Sequence, residues 1–168
     1  MIATVYWIEG PWRSRLAIVP RPRGGDWLED EVRAWRAAGI DVIVSLLQDE
    51  EAEELDIGQE AQRCNENGIE YTAFPVADRG VPESPRTFVE LVRGLEGKLA
   101  AGKTVALHCR QGVGRSALLA AAVLIAAGLD ADSAWKRVGA SRGCTVPDTA
   151  EQRAWVARDF LTAFAARP

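Results

Sequence analysis

Residues 104–128, TVALHCRQGVGRSALLAAAVLIAAG, limit the possible folds more than any other part of the chain. The segment opens with a short apolar run that reads as a buried strand, over 104–109. It turns through a brief glycine-bearing loop. It then enters a run over 115–128 that is apolar around most of its circumference, which predicts a helix buried on most faces. A buried strand feeding a buried helix needs covering layers on both sides, and that points to an α/β architecture.

The rest of the chain keeps the same rhythm. Short apolar runs at 4–8, 16–19, 41–47 and 69–76 predict strands. Helical spacing marks 26–39, where Leu28, Val32 and Trp35 share a face and Gly39 supplies a C-cap. Further helices are expected at 51–67 with a break near Gly58, at 86–102, at 130–139 and at 148–166. No linker, repeat or low-complexity tract interrupts the 168 residues. The expected fold is therefore a single α/β domain over 1–168. Its central sheet is mostly parallel, has about four or five strands, and is flanked by helices.

Two phosphate-loop patterns follow one another in this region. Gly97-x-x-x-x-Gly102-Lys103-Thr104 matches the nucleotide P-loop, and Cys109-x-x-x-x-x-Arg115-Ser116 matches a loop that holds phosphate against a thiolate. A nucleotide P-loop works only where a strand leads into the glycines and a helix starts at the Lys-Thr pair. Here the glycines close a helix and Lys103-Thr104 opens a strand, so this match is a coincidence of helix end and turn. The second pattern has the required order. Residues 110–114 (Arg110, Gln111, Gly112, Val113, Gly114) can curl into a nest of inward N–H groups at a helix N-terminus. Gly112 and Gly114 permit positive φ or close approach of an oxyanion. Arg115 can present its planar fork to two phosphate oxygens.

A helix N-terminus and an arginine beside a thiol favour the thiolate, so Cys109 is the expected nucleophile. His108 is the only histidine. On a continuing strand it points to the face opposite Cys109, so it is not the base for the thiol. It is expected to face the core and brace the loop through backbone hydrogen bonds. No ligand spacing such as C-x-x-C is present, and neither a metal nor a cofactor is expected.

Composition narrows the partners. A net charge of −4 and the acidic runs at 29–31 and 49–54 provide no basic footprint for nucleic acid. No apolar run approaches the ~20 residues of a membrane span, and the N-terminus lacks a signal-peptide layout. Three widely spaced cysteines, Cys64, Cys109 and Cys144, fit a reducing, cytoplasmic setting.

The motif HCRQGVGRS resembles the signature of the protein tyrosine phosphatase superfamily, in its dual-specificity branch. The order VIVSLLQDEE, FPVADRGVP, signature, VPDTAEQRAWV is similar to small cysteine phosphatases related to kinase-associated phosphatase, over about 20–157. The resemblance implies that Cys109 forms a phosphocysteine and that Arg115 and the loop N–H groups hold the equatorial oxygens. Asp78, in VADRGVP, matches the acid that protonates the leaving oxygen and later activates water. It implies that Ser116 donates to the thiolate. Gln152 either orients the attacking water or is a helix surface residue. Glu50 or Glu51 buttresses Arg115. Arg79 and the RPRGG turn at 21–25 are candidates for a basic rim, though the turn reads equally as a rigid corner.

The implied activity is metal-independent hydrolysis of phosphotyrosine, with phosphoserine and phosphothreonine also admitted, in a phosphoprotein partner. The loop carries Arg110 but no lysine, which favours phosphoprotein over inositol lipid. Two alternatives stand beside this: a phosphate-reading module without turnover, and a phosphatase for a small molecule, nucleic-acid end or inositol phosphate.

Overall fold

A computed structural model describes residues 1–166. In chain order the elements are β1 (Tyr6–Ile8), β2 (Leu16–Ile18), α1 (Leu28–Ala37), β3 (Val42–Ser45), α2 (Asp49–Glu54), α3 (Glu60–Glu66), β4 (Glu70–Ala73), α4 (Pro85–Ala100), β5 (Val105–His108), α5 (Arg115–Ala126), α6 (Ala131–Arg142), α7 (Ala150–Trp155) and α8 (Leu161–Ala165). The helix predicted over 51–67 is two helices, and it starts earlier. The chain turns at Asp56 with φ of 54°, and the Asp56 carbonyl accepts from the Gly25 N–H at 2.9 Å, so a left-handed residue separates α2 from α3. The helix predicted over 148–166 is continuous in direction but passes through a π-helical stretch at Val156–Phe160 between α7 and α8.

The five strands lie in the order β1-β2-β5-β3-β4. Only β1 pairs antiparallel, with β2; the other neighbours are parallel. Alternation along the strands divides the core in two. Leu16, Ile18, Val42, Val44, Val105 and Leu107 face the α4–α7 side with Cys109. Ala17, Ile43 and Ala106 face Leu28, Val32 and Trp35 of α1 and Cys64 of α3. Helix α5 lies in the first layer, with every residue from Arg115 to Ile125 buried.

Register then positions the site. Ser45 stands opposite both His108 and Ala73, so β5, β3 and β4 end at one level. The three segments that follow them converge at the same edge: 46–48 leading into α2, 74–84, and 109–114. This is where parallel α/β sheets place their ligands. The nucleotide-loop pattern lies elsewhere. Gly97 is inside α4, Gly102 follows that helix with φ of 96°, and Thr104 leads directly into β5. The Lys103 ammonium faces Glu70 at 3.8 Å instead of a nest of N–H groups.

Candidate active site

The loop after β5 folds around its own thiol. Cys109 is 3% exposed, and the Gly112 N–H donates to its Sγ at 3.2 Å. Gly112 has φ of 73°, a conformation that glycine adopts without a Cβ penalty. Gly114 is needed for a different reason. A Cβ there would lie 2.9 Å from the Asp148 Cβ and from the Gln152 Nε2, so only glycine lets the loop pass this close to the segment before α7. From the far side, Arg142 donates through Nε to the Gly112 carbonyl at 2.9 Å and through Nη2 to that of Gln111 at 3.1 Å. These bonds turn the loop carbonyls outward, which leaves the N–H groups for an anion inside.

Arg115 begins α5 and is almost wholly buried. Glu51 grips its guanidinium at both ends, with Nη1 to Oε1 at 2.6 Å and Nη2 to Oε2 at 3.0 Å. Nη1 also donates to the carbonyls of Val76 at 2.8 Å and Leu46 at 3.4 Å, and Nη2 to the Asp78 Oδ1 at 3.2 Å. Of the two acidic candidates it is thus Glu51 that buttresses the arginine, while Glu50 is exposed. The choice follows from the start of α2. Gln48 caps it, and its N–H donates to the Glu51 carboxylate, which aims that side chain inward. Burial pushes the Glu51 carboxyl up, but the Arg115 guanidinium, the Gln48 N–H and Arg110 outweigh it and hold the carboxyl below its ordinary value.

Asp78, Cys109, Arg110, Gln111, Gly114 and Arg115 line one cleft, and Arg79 and Asp148 complete its wall. The Asp78 side chain is 56% exposed, so the carboxylate hangs at the cleft mouth from its bond to Arg115. Arg110 is drawn sideways to Glu51 at 3.3 Å and Glu54 at 3.1 Å. Arg79 pairs with Asp148 at 3.3 Å. The other proposed rim is not part of the site. Arg21 and Arg23 of the RPRGG turn face a separate cavity bounded by residues 1–4 and Trp35.

Two expectations need correction, and a third contact is not formed in this arrangement. His108 points away from Cys109, as strand alternation requires, but its brace is a carboxylate rather than backbone. Its Nε2 lies 2.5 Å from Glu60 Oε1, with both side chains buried and Trp35 stacked on the ring. Packing α3 on the sheet brings Glu60 there, and no local pattern marks it. The Ser116 Oγ is buried without a hydrogen-bond partner among the described residues, and the donor to Sγ in this arrangement is the Gly112 N–H. Gln152 is not a helix surface residue. It is fully buried, accepts from the Thr149 N–H at 3.1 Å and donates to the Gly80 carbonyl at 3.0 Å.

The remaining cysteines differ in their surroundings. Cys64 packs on the opposite face of the sheet from Cys109, and burial together with Glu60 pushes its thiol up to about 12. Cys144 is exposed, in a cleft with Trp135 and Arg153. Treatment of the native protein with iodoacetamide near neutral pH is therefore expected to leave Cys64 unmodified. Peptide mapping checks this, and labelling of Cys64 without unfolding would contradict the burial described. No helix among the described residues is long and apolar enough to cross a membrane.

Several comparisons bear on this geometry. The family model described as "polymorphic toxin system, DSP-PTPase phosphatase" matches residues 19–129. Among solved structures, kinase associated phosphatase with its catalytic-site cysteine changed to serine is 18% identical, with a TM-score of 0.88 over 100% of this chain and 99% of that one. Tk-PTP in its active form is 25% identical, with a TM-score of 0.74 over 95% and 97%. PTPMT1 in complex with PI(5)P is 18% identical, with a TM-score of 0.75 over 95% and 97%. At these identities the first and third likenesses concern the fold alone. No curated protein sequence matches the chain. With a family match over residues 19–129 and a dual-specificity-phosphatase fold throughout, the chain belongs to the DSP-PTPase phosphatases of polymorphic toxin systems.

Proposed function

We propose that this protein hydrolyses phosphomonoesters through a phosphocysteine, with phosphorylated side chains of proteins as substrates. The observation that carries the reading is the convergence of Cys109, Arg115 and Asp78 on one cleft at the N-terminus of α5. The phosphate of the substrate takes the place beside Arg115 that the Asp78 carboxylate now holds, and the loop N–H groups receive its other oxygens. The Cys109 thiolate attacks phosphorus in line, an S–P bond forms, and the P–O bond to the leaving group breaks. Asp78 delivers its proton to the departing oxygen. A water molecule then attacks phosphorus while the Asp78 carboxylate takes its proton. The S–P bond breaks and its electron pair returns to sulfur, where the unpartnered Ser116 hydroxyl can meet the thiolate.

Two features support a substrate with a single phosphate on a protein. The cationic side chains beside Arg115 in the cleft, Arg79 and Arg110, are each paired with a carboxylate, so neither is left for a second phosphate. The half-exposed Asp78 places the acid near the mouth, which admits short phosphoserine and phosphothreonine side chains as well as phosphotyrosine.

The test is turnover of p-nitrophenyl phosphate, phosphopeptides and inositol phosphates in chelator, with acid quenching and peptide mapping for phosphate on Cys109. Phosphopeptide hydrolysis with a trapped phosphocysteine is the expected result. Turnover of one metabolite far above that of every phosphopeptide would remove the protein substrate, and phosphate on another residue would remove the mechanism. Asp78→Asn is expected to lower turnover of esters with poor leaving groups by ~10²-fold, and that of good leaving groups much less. A loss independent of the leaving group would show that Asp78 is not the acid.

A further inference from the structure

The acid loop is held by one short segment of chain. Asp78 and Arg79 form the centre of a turn closed by the Gly80 N–H donating to the Ala77 carbonyl at 2.8 Å. Arg79 has φ of 60°, in the left-handed region that non-glycine residues avoid, so the turn needs outside support. That support comes from residues 148–152. Asp148 accepts from the Arg79 Nη1 at 3.3 Å, and the Gln152 Nε2 donates to the Gly80 carbonyl at 3.0 Å. These ties fall on the two residues immediately after Asp78.

Of the two ties, the one from Gln152 is the stronger. Arg79 is exposed, and a surface ion pair contributes little. Gln152 is fully buried, and its Oε1 is already committed to the Thr149 N–H. If the acid loop moved away, Nε2 would lose its partner in a buried setting, which disfavours that movement. The side chain also lies against Gly114 of the phosphate loop. One amide therefore spans from the loop that holds phosphate to the loop that carries the acid.

We propose that Gln152 is a positioning residue for the general acid: its buried amide clamps the Gly80 carbonyl and so keeps Asp78 over Arg115 and Cys109, with the Arg79–Asp148 pair as a secondary tie. This rests on the reading of Asp78 as the acid. It differs from orientation of the attacking water, because the contact that carries it is the bond from Nε2 to the Gly80 carbonyl.

Gln152→Met keeps the length of the side chain and removes both hydrogen bonds. The expected result is a loss of kcat/KM on phenyl phosphate about 10-fold larger than the loss on p-nitrophenyl phosphate, since only the poorer leaving group depends strongly on the acid. Inhibition by inorganic phosphate stays within about 2-fold, and in an Asp78→Asn background the second substitution adds less than about 2-fold. Thr149→Ala removes a cap of the same helix but leaves the clamp, and keeps the wild-type dependence on leaving group. Equal loss on both esters, or full additivity with Asp78→Asn, would overturn the proposal and favour an effect on the water step.

Hydrogen exchange provides a readout without turnover. Amides of residues 79–81 are expected to exchange faster in Gln152→Met while those of α4 do not change. If the wild type hydrolysed neither ester, the functional reading would fall first. Unchanged protection of 79–81 would then overturn the clamp as well.

Discussion

Cys109→Ser is expected to lower p-nitrophenyl phosphate turnover by ~10⁴-fold or more, with the fold intact. The size of the effect follows from the surroundings of Sγ. A serine hydroxyl needs a base to become a nucleophile, and the cleft offers none at that position. His108 is on the opposite face of the sheet, bound to Glu60. Asp78 hangs from Arg115 at the cleft mouth. Sulfur is intrinsically a far stronger nucleophile than a hydroxyl oxygen, and here it lies beside the Gly112 N–H and the Arg115 guanidinium. The substitution changes one atom in a site that is 3% exposed and leaves the N–H groups in place, so binding of inorganic phosphate should persist. The measurement is a continuous assay in chelator, with phosphate binding followed separately. Wild-type turnover in the variant would rule out Cys109 as the nucleophile, and loss of phosphate binding would mean that the loop had collapsed.

Glu51→Ala carries the largest expected penalty on stability. It strips the two-point partner from an arginine whose side chain is 2% exposed, and breaking a buried pair in this way costs about 3–5 kcal/mol. For a chain of this size that corresponds to a fall in Tm on the order of 10 °C. Activity should fall as well, by about 10²-fold, because an arginine fork free to rotate no longer presents its remaining donors to phosphate. Thermal unfolding and p-nitrophenyl phosphate turnover check the two effects together. A shift in Tm below 2 °C would show that the carbonyls of Val76 and Leu46 suffice to hold Arg115.

The same carboxylate sets a pH dependence. Its folded value is depressed, so its contribution to stability is complete above the ordinary glutamate pKa and is lost as pH falls through the lowered folded value. Glu51→Gln should therefore lie closest to the wild type in acid, below about pH 4, and furthest from it near neutrality. Parallel stability curves across that range would assign the acid sensitivity to other groups.

What the sequence by itself determined is contiguous. The proposed nucleophile, the proposed anion-binding loop and the first residue of the helix lie within residues 109–116, and a glycine-bearing turn between a buried strand and a buried helix has few ways to fold. Strand alternation alone sent His108 and Cys109 to opposite faces. The order of strand, loop and helix was enough to separate the working loop from the decoy at 97–104. Asp78 was legible only through resemblance, because an aspartate in a loop has no periodicity to identify it.

Tertiary structure decided the rest, and in each case the deciding contact spans a long stretch of chain. Glu51 and Glu50 cannot be told apart by composition. One meets Arg115 because the cap at Gln48 rotates α2, and the pair is 64 residues apart. Glu60 reaches His108 across 48 residues through the packing of α3 on the sheet. Gln152 reaches Gly80 across 72, and that contact is the one on which its proposed role beside Asp78 rests. Local sequence pattern reports backbone preference and burial, which are properties of neighbouring residues. The choice of partner for a buried charge or amide depends on where separate layers meet, and only the packed fold sets that.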